Sequence, residues 1–169
     1  MDSILSFTQQ QEIKPWAKNS QPQYEQIRNE VVDYQLNELL GVAFAQDVID
    51  NPANYADLLD GAVFTYRDNQ VKHKGLRYVL AYFVYAKYAA EGHLTPTFTG
   101  FVTKTRTEAE SAKEGEIRRI EKGAIQMANQ AFKLVDAYLC KNSTSYPLYK
   151  KNTKSPRSGY KIFEGIRKV

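Results

Sequence analysis

The central stretch of this chain, residues 75–91, is apolar on nearly every side of a helix. Residues 78–90 are interrupted only by Lys87. A bilayer-spanning helix needs about 20 apolar residues, so this stretch is too short to be a membrane anchor. It predicts a core helix that neighbouring elements or other subunits must cover on nearly all sides.

A helical repeat of apolar residues precedes this core helix. Over residues 24–40 the apolar side chains recur every three or four positions, which is the spacing of one helical stripe. The period continues past Gly41 to Ile49 and stops at Pro52. Pro52 can begin a short helix that closes at Gly61.

Two further segments complete the predicted body. Over residues 62–73 the apolar period drops to two on either side of a turn at Asp68-Asn69, which predicts a small β-hairpin. A long helix is predicted from about residue 107 to 141, with Ile120 and Met127 on its core-facing stripe. The predicted fold class is therefore mainly α: a helical bundle with one long helix, a small β-hairpin, and extended amino- and carboxy-terminal arms.

The chain predicts one domain with an arm at each end. With 169 residues and 43% apolar content it can bury one sizeable core. We expect an extended amino-terminal arm over residues 1–22, a helical body over residues 23–141, and a basic carboxy-terminal arm over residues 142–169. The single cysteine, Cys140, excludes an intrachain disulfide, and no secretory signal is visible, so a reducing cytoplasm is expected.

Positive charge is concentrated at the carboxy terminus. Residues 141–169 carry eight Lys and Arg residues and one acid, whereas the rest of the chain has 15 bases and 18 acids. The apolar residues of this segment are too few to build a core, which is typical of an arm that binds a partner. The residues predicted to dock the arm on its partner are Tyr149, Lys150, Lys151, Lys154, Arg157, Tyr160, Ile162 and Phe163.

No pattern of catalytic residues is apparent in the sequence. His73 and His93 lie outside any nucleophile–base motif and are interpreted as surface or hairpin-packing histidines. The acids between residues 108 and 121 alternate with bases, as on a solvated helix face, which does not favour a carboxylate metal site. Neither glycine motif of nucleotide-binding loops occurs. We therefore expect no enzyme activity, no cofactor and no metal.

Two kinds of partner are open for the basic arm. Lys and Arg interleaved with Tyr and Phe could bind phosphates and stack on bases, which would make the chain a nucleic-acid-binding accessory protein. The same residues could bind an acidic protein surface with aromatic anchors. A protein partner is favoured because apolar pairs interrupt the basic residues and the body is mildly acidic.

The order of these elements resembles the head-to-tail connector proteins of tailed bacteriophages, also called neck adaptor or head completion proteins. The resemblance covers residues 24–149 and is most like the versions in crAss-like and other Bacteroidetes phages. It rests on this order and on five short phrases: LLG at 39–41, YADLLDG at 55–61, KGLR at 74–77, AYFVYA at 81–86 and TGFV at 99–102.

The resemblance implies a structural virion protein. Connectors of this kind form a ring, commonly a dodecamer, that docks under the portal protein and joins it to the tail. Their lumen lets DNA pass without sequence-specific binding. The implied partners are sister copies, the portal protein and further tail or neck proteins, with no membrane involved. The implied location is the neck of the virion, after synthesis in the host cytoplasm. The carboxy-terminal arm of such connectors reaches the portal or a neighbouring subunit, the position that residues 150–169 hold here.

Overall fold

The computed structural model describes residues 4–15, 21–91, 94–97, 100–103 and 114–150. In these ranges the prediction of a mainly α fold with a small hairpin is confirmed. The elements in chain order are α1 (Phe7–Ile13), α2 (Gln21–Leu40), α3 (Val42–Asp50), a 3-10 helix (Pro52–Tyr55), α4 (Ala56–Asp60), β1 (Val63–Tyr66), β2 (Asn69–Lys72), α5 (Gly75–Glu91), β3 (Leu94–Thr97), β4 (Gly100–Thr103) and α6 (Glu114–Lys141).

Helix α5 is the central element, as its all-round apolar surface requires. It packs most extensively against α6, and it also contacts α2, α4 and α1. Its side chains at Leu76, Val79, Leu80 and Val84 have no exposed surface. Burying a large aliphatic side chain contributes about 1.5–3 kcal/mol, so α5 supplies much of the stability of the fold. None of the helices in the described ranges is long and apolar enough to cross a membrane.

Helices α2 and α3 are separated at Gly41, where the sequence allows an interruption. Gly41 has a φ of +81°, in the left-handed region that glycine adopts without steric cost. The buried side of α2 follows the predicted stripe at Tyr24, Ile27, Val31 and Leu36, whereas Tyr34 and Val42, which also fit the helical period, are exposed.

The backbone crosses itself closely between α4 and α5. A Cβ atom on Gly75 would collide with the carbonyl oxygen of Leu59, and one on Gly61 would collide with the carbonyl oxygen of His73. Both glycines also have positive φ. The predicted closure of α4 at Gly61 is confirmed, and the second glycine lets α5 begin directly against it.

Strands β1 and β2 form the expected antiparallel hairpin, with Tyr66 paired to Asn69. The turn residues are Arg67 and Asp68, which both have positive φ. The predicted turn at Asp68-Asn69 was therefore one residue too late. Two central residues with positive φ form the two-residue turn whose twist matches that of the flanking strands. A second antiparallel pair, β3 and β4, forms in the threonine-rich segment after α5.

The amino-terminal segment differs from the predicted extended arm over residues 1–22. Helix α1 begins at a capping box. The Ser6 hydroxyl oxygen accepts from the Gln9 backbone N–H, and the Gln9 side-chain oxygen accepts from the Ser6 backbone N–H. Ile4 and Leu5 are buried in the core. Arg77 Nε donates to the Ile4 carbonyl at 2.7 Å, which ties this segment to α5.

Helix α6 follows the predicted long helix from Glu114 to Lys141, whereas residues 107–113 lie outside the described part of the chain. Its buried side contains Ala128, Val135 and Leu139. The predicted stripe was wrong at two positions, since the Ile120 side chain is 44% exposed and that of Met127 42% exposed. The apolar stripe of α6 is wider than the surface that the rest of the body covers.

Candidate interaction surfaces

The carboxy-terminal turns pack against the body. The Tyr146 ring centroid lies 6.1 Å from that of Phe44 on α3 and 6.2 Å from that of Tyr55. Its hydroxyl oxygen is 3.2 Å from that of Tyr138 on α6. Tyr146 therefore joins the carboxy-terminal turns to α3, the 3-10 helix and α6 at one point.

Tyr149 makes the second contact of this segment with the body. Its ring centroid is 6.1 Å from that of Phe44. Its hydroxyl donates a hydrogen bond of 2.6 Å to the Asp136 carboxylate on α6. We call Tyr146 and Tyr149 the carboxy-terminal anchor, because they pack the last described residues onto the body.

The anchor is electrically neutral at physiological pH. Burial, followed by the contact with the Tyr138 hydroxyl, raises the pKa of Tyr146. Burial and the hydrogen bond to Asp136 raise the pKa of Tyr149. The hydrogen bond that Tyr55 donates to Asp47 raises the pKa of Tyr55 to about 12. These phenols stay protonated, and those of Tyr149 and Tyr55 keep donating to the carboxylates of Asp136 and Asp47.

The structure describes two of the eight residues predicted to bind a partner. Tyr149 is half-buried against its own body, and Lys150 is exposed. The segment 142–150 was predicted to belong to the basic arm, whereas the anchor packs it onto the core. The other six residues lie outside the described ranges: Lys151, Lys154, Arg157, Tyr160, Ile162 and Phe163.

The segment that forms helices α2 to α4 is rich in acids. Residues 21–60 carry eight acids and a single base, Arg28. Lys87 forms an ion pair with Glu30, and the hydrogen bond in this pair lowers the pKa of Glu30. Arg77 pairs with Asp60. The other acids of this segment are Glu25, Asp33, Glu38, Asp47, Asp50 and Asp57.

Two apolar side chains of this segment are exposed. Tyr34 on α2 is 55% exposed, and Val42 at the start of α3 is 72% exposed. Asp33 and Glu38 are also exposed on α2, but they lie five residues apart and therefore roughly 140° apart around the helix.

The outer side of α6 has mixed charge, because exposed Glu116 lies one turn before Arg119. Arg119 and Lys122 are exposed there, and the exposed apolar residues Ile120 and Met127 flank the exposed Gly123. A shallow concavity runs over the helix at this point and is lined by Gly115, Arg118, Arg119, Lys122, Gly123 and Gln126. We call Arg119, Ile120, Lys122, Gly123 and Met127 the α6 face.

His73 packs the hairpin onto the body. It is fully buried, and its ring centroid lies 4.4 Å from that of Tyr138. Its Nε2 faces the Ala62 backbone N–H and its Nδ1 faces the Gly75 backbone N–H, each at 3.2 Å. Burial lowers its pKa, so the ring is neutral near pH 7. Over the described residues, no group of three or more His, Cys, Asp and Glu side chains could hold a metal ion.

Sequence comparison assigns the chain to a family. The profile of a family of unknown function, DUF6712, matches residues 36–159, nearly three quarters of the 169 residues. The chain belongs to this family. The matched segment begins within α2, includes the rest of the body and the anchor, and continues into the basic arm. Comparisons with curated proteins and with solved structures found no match.

Sequence reasoning missed three features of these surfaces. The S-x-x-Q phrase at residues 6–9 is a capping-box signal that could have located α1. Tyr146 and Tyr149 are three residues apart, but a single pair beside Pro147 is too short to show a period, so nothing local indicated that they pack inward. The outward position of Ile120 and Met127 had no signal, because both residues fit the helical stripe.

Proposed function

We propose that this chain is a structural virion protein that forms a ring adaptor in the neck of a tailed phage. The ring joins the portal protein to the tail and leaves a lumen for DNA passage. The observation that carries the proposal is the carboxy-terminal anchor, which packs the residues just before the most basic part of the sequence onto α3 and α6. The resemblance to connector proteins supports it, since all five of its phrases lie inside the matched family segment.

The anchor gives the arm a physical advantage. A basic segment that starts at a rigid point samples a limited volume, so its effective concentration near a docked partner is high. A ring presents one such arm per subunit, and many modest contacts then add to a stable attachment. This role requires no catalytic activity of the protein.

The arm residues divide into two groups by what they contribute. Lys150, Lys151, Lys154 and Arg157 supply charge that attracts an acidic surface of the portal or of a neighbouring subunit. Aromatic and aliphatic residues supply the buried contacts of the docked arm: Tyr160, Ile162 and Phe163. Tyr149 serves as the root of the arm, because its ring already contacts Phe44.

The test compares the full chain with a chain that ends at Lys150. The shorter chain keeps the anchor and should unfold at the same temperature as the full chain, within about 2 °C, by circular dichroism. Each is co-expressed with the portal protein of the same phage, and the complexes are separated by size and imaged by negative-stain electron microscopy. We expect rings on the portal with the full chain only.

Two results would contradict the proposal. One is equal portal binding by the chain that ends at Lys150. The other is a full chain that stays monomeric by native mass spectrometry both alone and with the portal. A variant with Lys151, Lys154 and Arg157 changed to Gln is the matched control, because it keeps the arm length and removes only charge.

A nucleic-acid-binding accessory protein is the second candidate. The exposed cluster of Arg118, Arg119 and Lys122 on α6 favours it, together with the basic arm. Phosphate neutralisation predicts that affinity for duplex or single-stranded DNA falls steeply between 50 and 200 mM salt, by roughly 10³-fold or more for six phosphate contacts. Absence of binding at 50 mM salt in a fluorescence anisotropy titration would eliminate this candidate.

A further inference from the structure

We propose that a surface built around helix α5 binds the phosphate backbone of DNA. This inference rests on the proposed function in one respect, since the lumen of the ring supplies the DNA that the surface would meet. Five side chains form the surface, which we call the α5 face: Lys14, Lys74, Tyr78, Tyr82 and Tyr85. The basic arm is not part of it, so this inference and portal docking can fail separately.

Direct contacts join the five side chains into one surface. Tyr78, Tyr82 and Tyr85 are four and three residues apart on α5, so they lie on the same side of the helix. The ring centroids of Tyr78 and Tyr82 are 4.9 Å apart. Lys74 Nζ lies 4.5 Å from the Tyr78 centroid, and Lys14 Nζ lies 4.7 Å from the Tyr85 centroid and 6.0 Å from that of Tyr82. The row of tyrosines therefore has a lysine at each end.

A chain of hydrogen bonds runs along part of this row. Lys74 Nζ donates to the Tyr78 hydroxyl at 3.5 Å, and that hydroxyl donates to the Tyr82 hydroxyl at 3.4 Å. Within the described ranges the Tyr82 hydroxyl donates to no side chain or carbonyl. Because an ammonium group at the start of such a chain polarises each O–H that follows, the last hydroxyl is a stronger donor. The row thus ends in a donor that is complementary to an anionic oxygen.

The charges on the α5 face are not compensated by the described part of the body. Neither Lys14 nor Lys74 forms an ion pair within those ranges. Glu12 is exposed on α1, but two residues before Lys14 it lies roughly 200° away around that helix. Asp60 pairs with Arg77 instead. The two lysines therefore leave the surface with a net positive charge.

Tyr82 remains a donor at physiological pH. The hydrogen bond from Tyr78, followed by burial, raises the pKa of Tyr82. The fields of Lys14 and Lys74 both act on this phenol and lower its pKa, but the balance is upward. The phenol therefore keeps its proton while two cations make the region around it attractive to an anion.

The composition of the α5 face favours phosphate over the acidic surface of another protein. Protein interfaces are anchored by apolar and aromatic side chains that become buried. None of the large apolar side chains that are exposed in the described ranges lies on this face. The face presents ammonium and hydroxyl groups instead, which are among the donors that bind DNA phosphates.

The length of the row suits an anion whose charge repeats along a line. Tyr78 and Tyr85 are seven residues apart, which is about 10 Å along the helix. A DNA strand carries one phosphate per about 3.4 Å of its axis, so lysines at both ends of the row can each meet a phosphate of the same strand. Contacts to phosphate alone read no base sequence, and two of them bind weakly. Such a contact is compatible with DNA that has to pass.

The salt dependence of DNA binding tests the role of the two lysines. The full chain is titrated against a labelled duplex by fluorescence anisotropy between 50 and 200 mM salt. Changing Lys14 and Lys74 to Gln should reduce the slope of log affinity against log salt by about 1.8. Over this range the loss of affinity should then be about twelvefold smaller than for the wild type.

A second pair of cations provides the matched control. Arg67 at the tip of the hairpin and Lys133 on α6 are both exposed and lie off the α5 face. Changing both to Gln removes the same net charge, so this variant should keep the wild-type slope. Circular dichroism checks that both variants fold.

The hydroxyl groups should contribute without affecting the salt dependence. Changing Tyr78 and Tyr82 to Phe keeps the rings and all charges and removes the two hydroxyl donors. We expect the affinity at 50 mM salt to fall by roughly two- to tenfold with an unchanged slope. An unchanged affinity would show that the hydroxyl groups do not contact DNA and would overturn this part of the face.

Photo-cross-linking locates the contact in the wild-type chain. A duplex that carries a photoreactive thymine analogue is irradiated with the full chain, and the tryptic peptides are identified by mass spectrometry. Trypsin cleaves after Arg77 and Lys87, so residues 78–87 form one peptide with all three tyrosines of the α5 face. We expect cross-links to this peptide. Cross-links confined to the basic arm or to the α6 face would overturn the inference.

The outcomes separate this inference from the proposed ring. An unchanged slope in the Lys14→Gln, Lys74→Gln variant, or the same reduction in the control, would overturn the inference and leave the ring in place. Loss of rings on the portal with unchanged DNA binding in that variant would assign the α5 face to a protein contact and also overturn it. A full chain that stays monomeric with the portal but shows the predicted slopes would overturn the ring and keep the α5 face as a DNA-binding surface.

Discussion

Replacing Tyr149 by alanine tests whether the carboxy-terminal anchor is part of the folded body. The ring packs against Phe44, and the hydroxyl donates to the Asp136 carboxylate at 2.6 Å. Truncating a fully buried aromatic side chain costs about 3–5 kcal/mol, so a half-buried one should cost about 2 kcal/mol. Loss of a hydrogen bond to a charged acceptor at a partly exposed site adds about 1–2 kcal/mol.

The expected loss for Tyr149→Ala is therefore about 3–4 kcal/mol in the free energy of unfolding. A domain of this size is stable by about 5–15 kcal/mol, and each kcal/mol shifts the melting temperature by about 2–4 °C. Tyr149→Phe keeps the ring and should lose only the hydrogen-bond part, about 1–2 kcal/mol. Urea unfolding followed by circular dichroism, with linear extrapolation to water, measures both values.

Leu148→Ala is the matched control, because its side chain is 46% exposed in the same turns. It should cost less than about 1 kcal/mol. The reasoning fails if Tyr149→Ala costs no more than Leu148→Ala. A chain that ends at Cys140 loses both anchor residues and should be less stable than one that ends at Lys150, which separates the anchor from the arm.

Three further predictions concern other parts of the body. Gly75→Ala should destabilise the fold by about 2–4 kcal/mol, because the added Cβ would collide with the Leu59 carbonyl. Gly123→Ala should stabilise the protein by about 0.5–1 kcal/mol in the same urea assay, because an added Cβ meets nothing there and alanine favours the helix. The folded-state pKa values of Tyr149, Tyr146 and Tyr24 are raised above the unfolded value of about 10. The contribution of these phenols to the free energy of unfolding should therefore be complete below pH 10. Above pH 10 it should fall by about 1.4 kcal/mol per pH unit for each phenol. Tyr149→Phe should reduce that slope by one such increment, and an unchanged slope would contradict the assignment. Burial lowers the folded-state pKa of His73, so the contribution of His73 to the free energy of unfolding should be present above about pH 6.5 and be lost as the pH falls. Urea titrations between pH 5 and 7 measure this dependence, and the His73→Gln variant should lack it.

The order and type of the main elements could be read from the sequence because their signals are local. Pro52 ends one helix and begins the next turn, Gly61 closes α4, and a stretch that is apolar on all sides can only be a central helix. These features depend on residues a few positions apart, so no knowledge of the partner elements was needed.

The amino-terminal segment could not be predicted from local sequence patterns. Two prolines and a polar composition predict an extended arm, yet Ile4 and Leu5 are buried and hydrogen-bonded to residues far along the chain, such as Arg77. Burial of these two side chains and the bonds to their carbonyls offset the entropy of ordering the segment. That balance depends on a cleft formed by α2 and α5, which no short stretch of sequence encodes.

A mainly α body, its hairpin and the segregation of basic residues into the last segment follow from the sequence alone, because period, proline, glycine and charge are properties of the chain. That Tyr146 and Tyr149 pack on the body and that Ile120 and Met127 face outward emerged only from the packing of distant elements. Both outcomes have the same physical reason: a side chain is buried only where another element comes close enough to cover it. The surface that α3, α5 and α6 present together fixes that coverage.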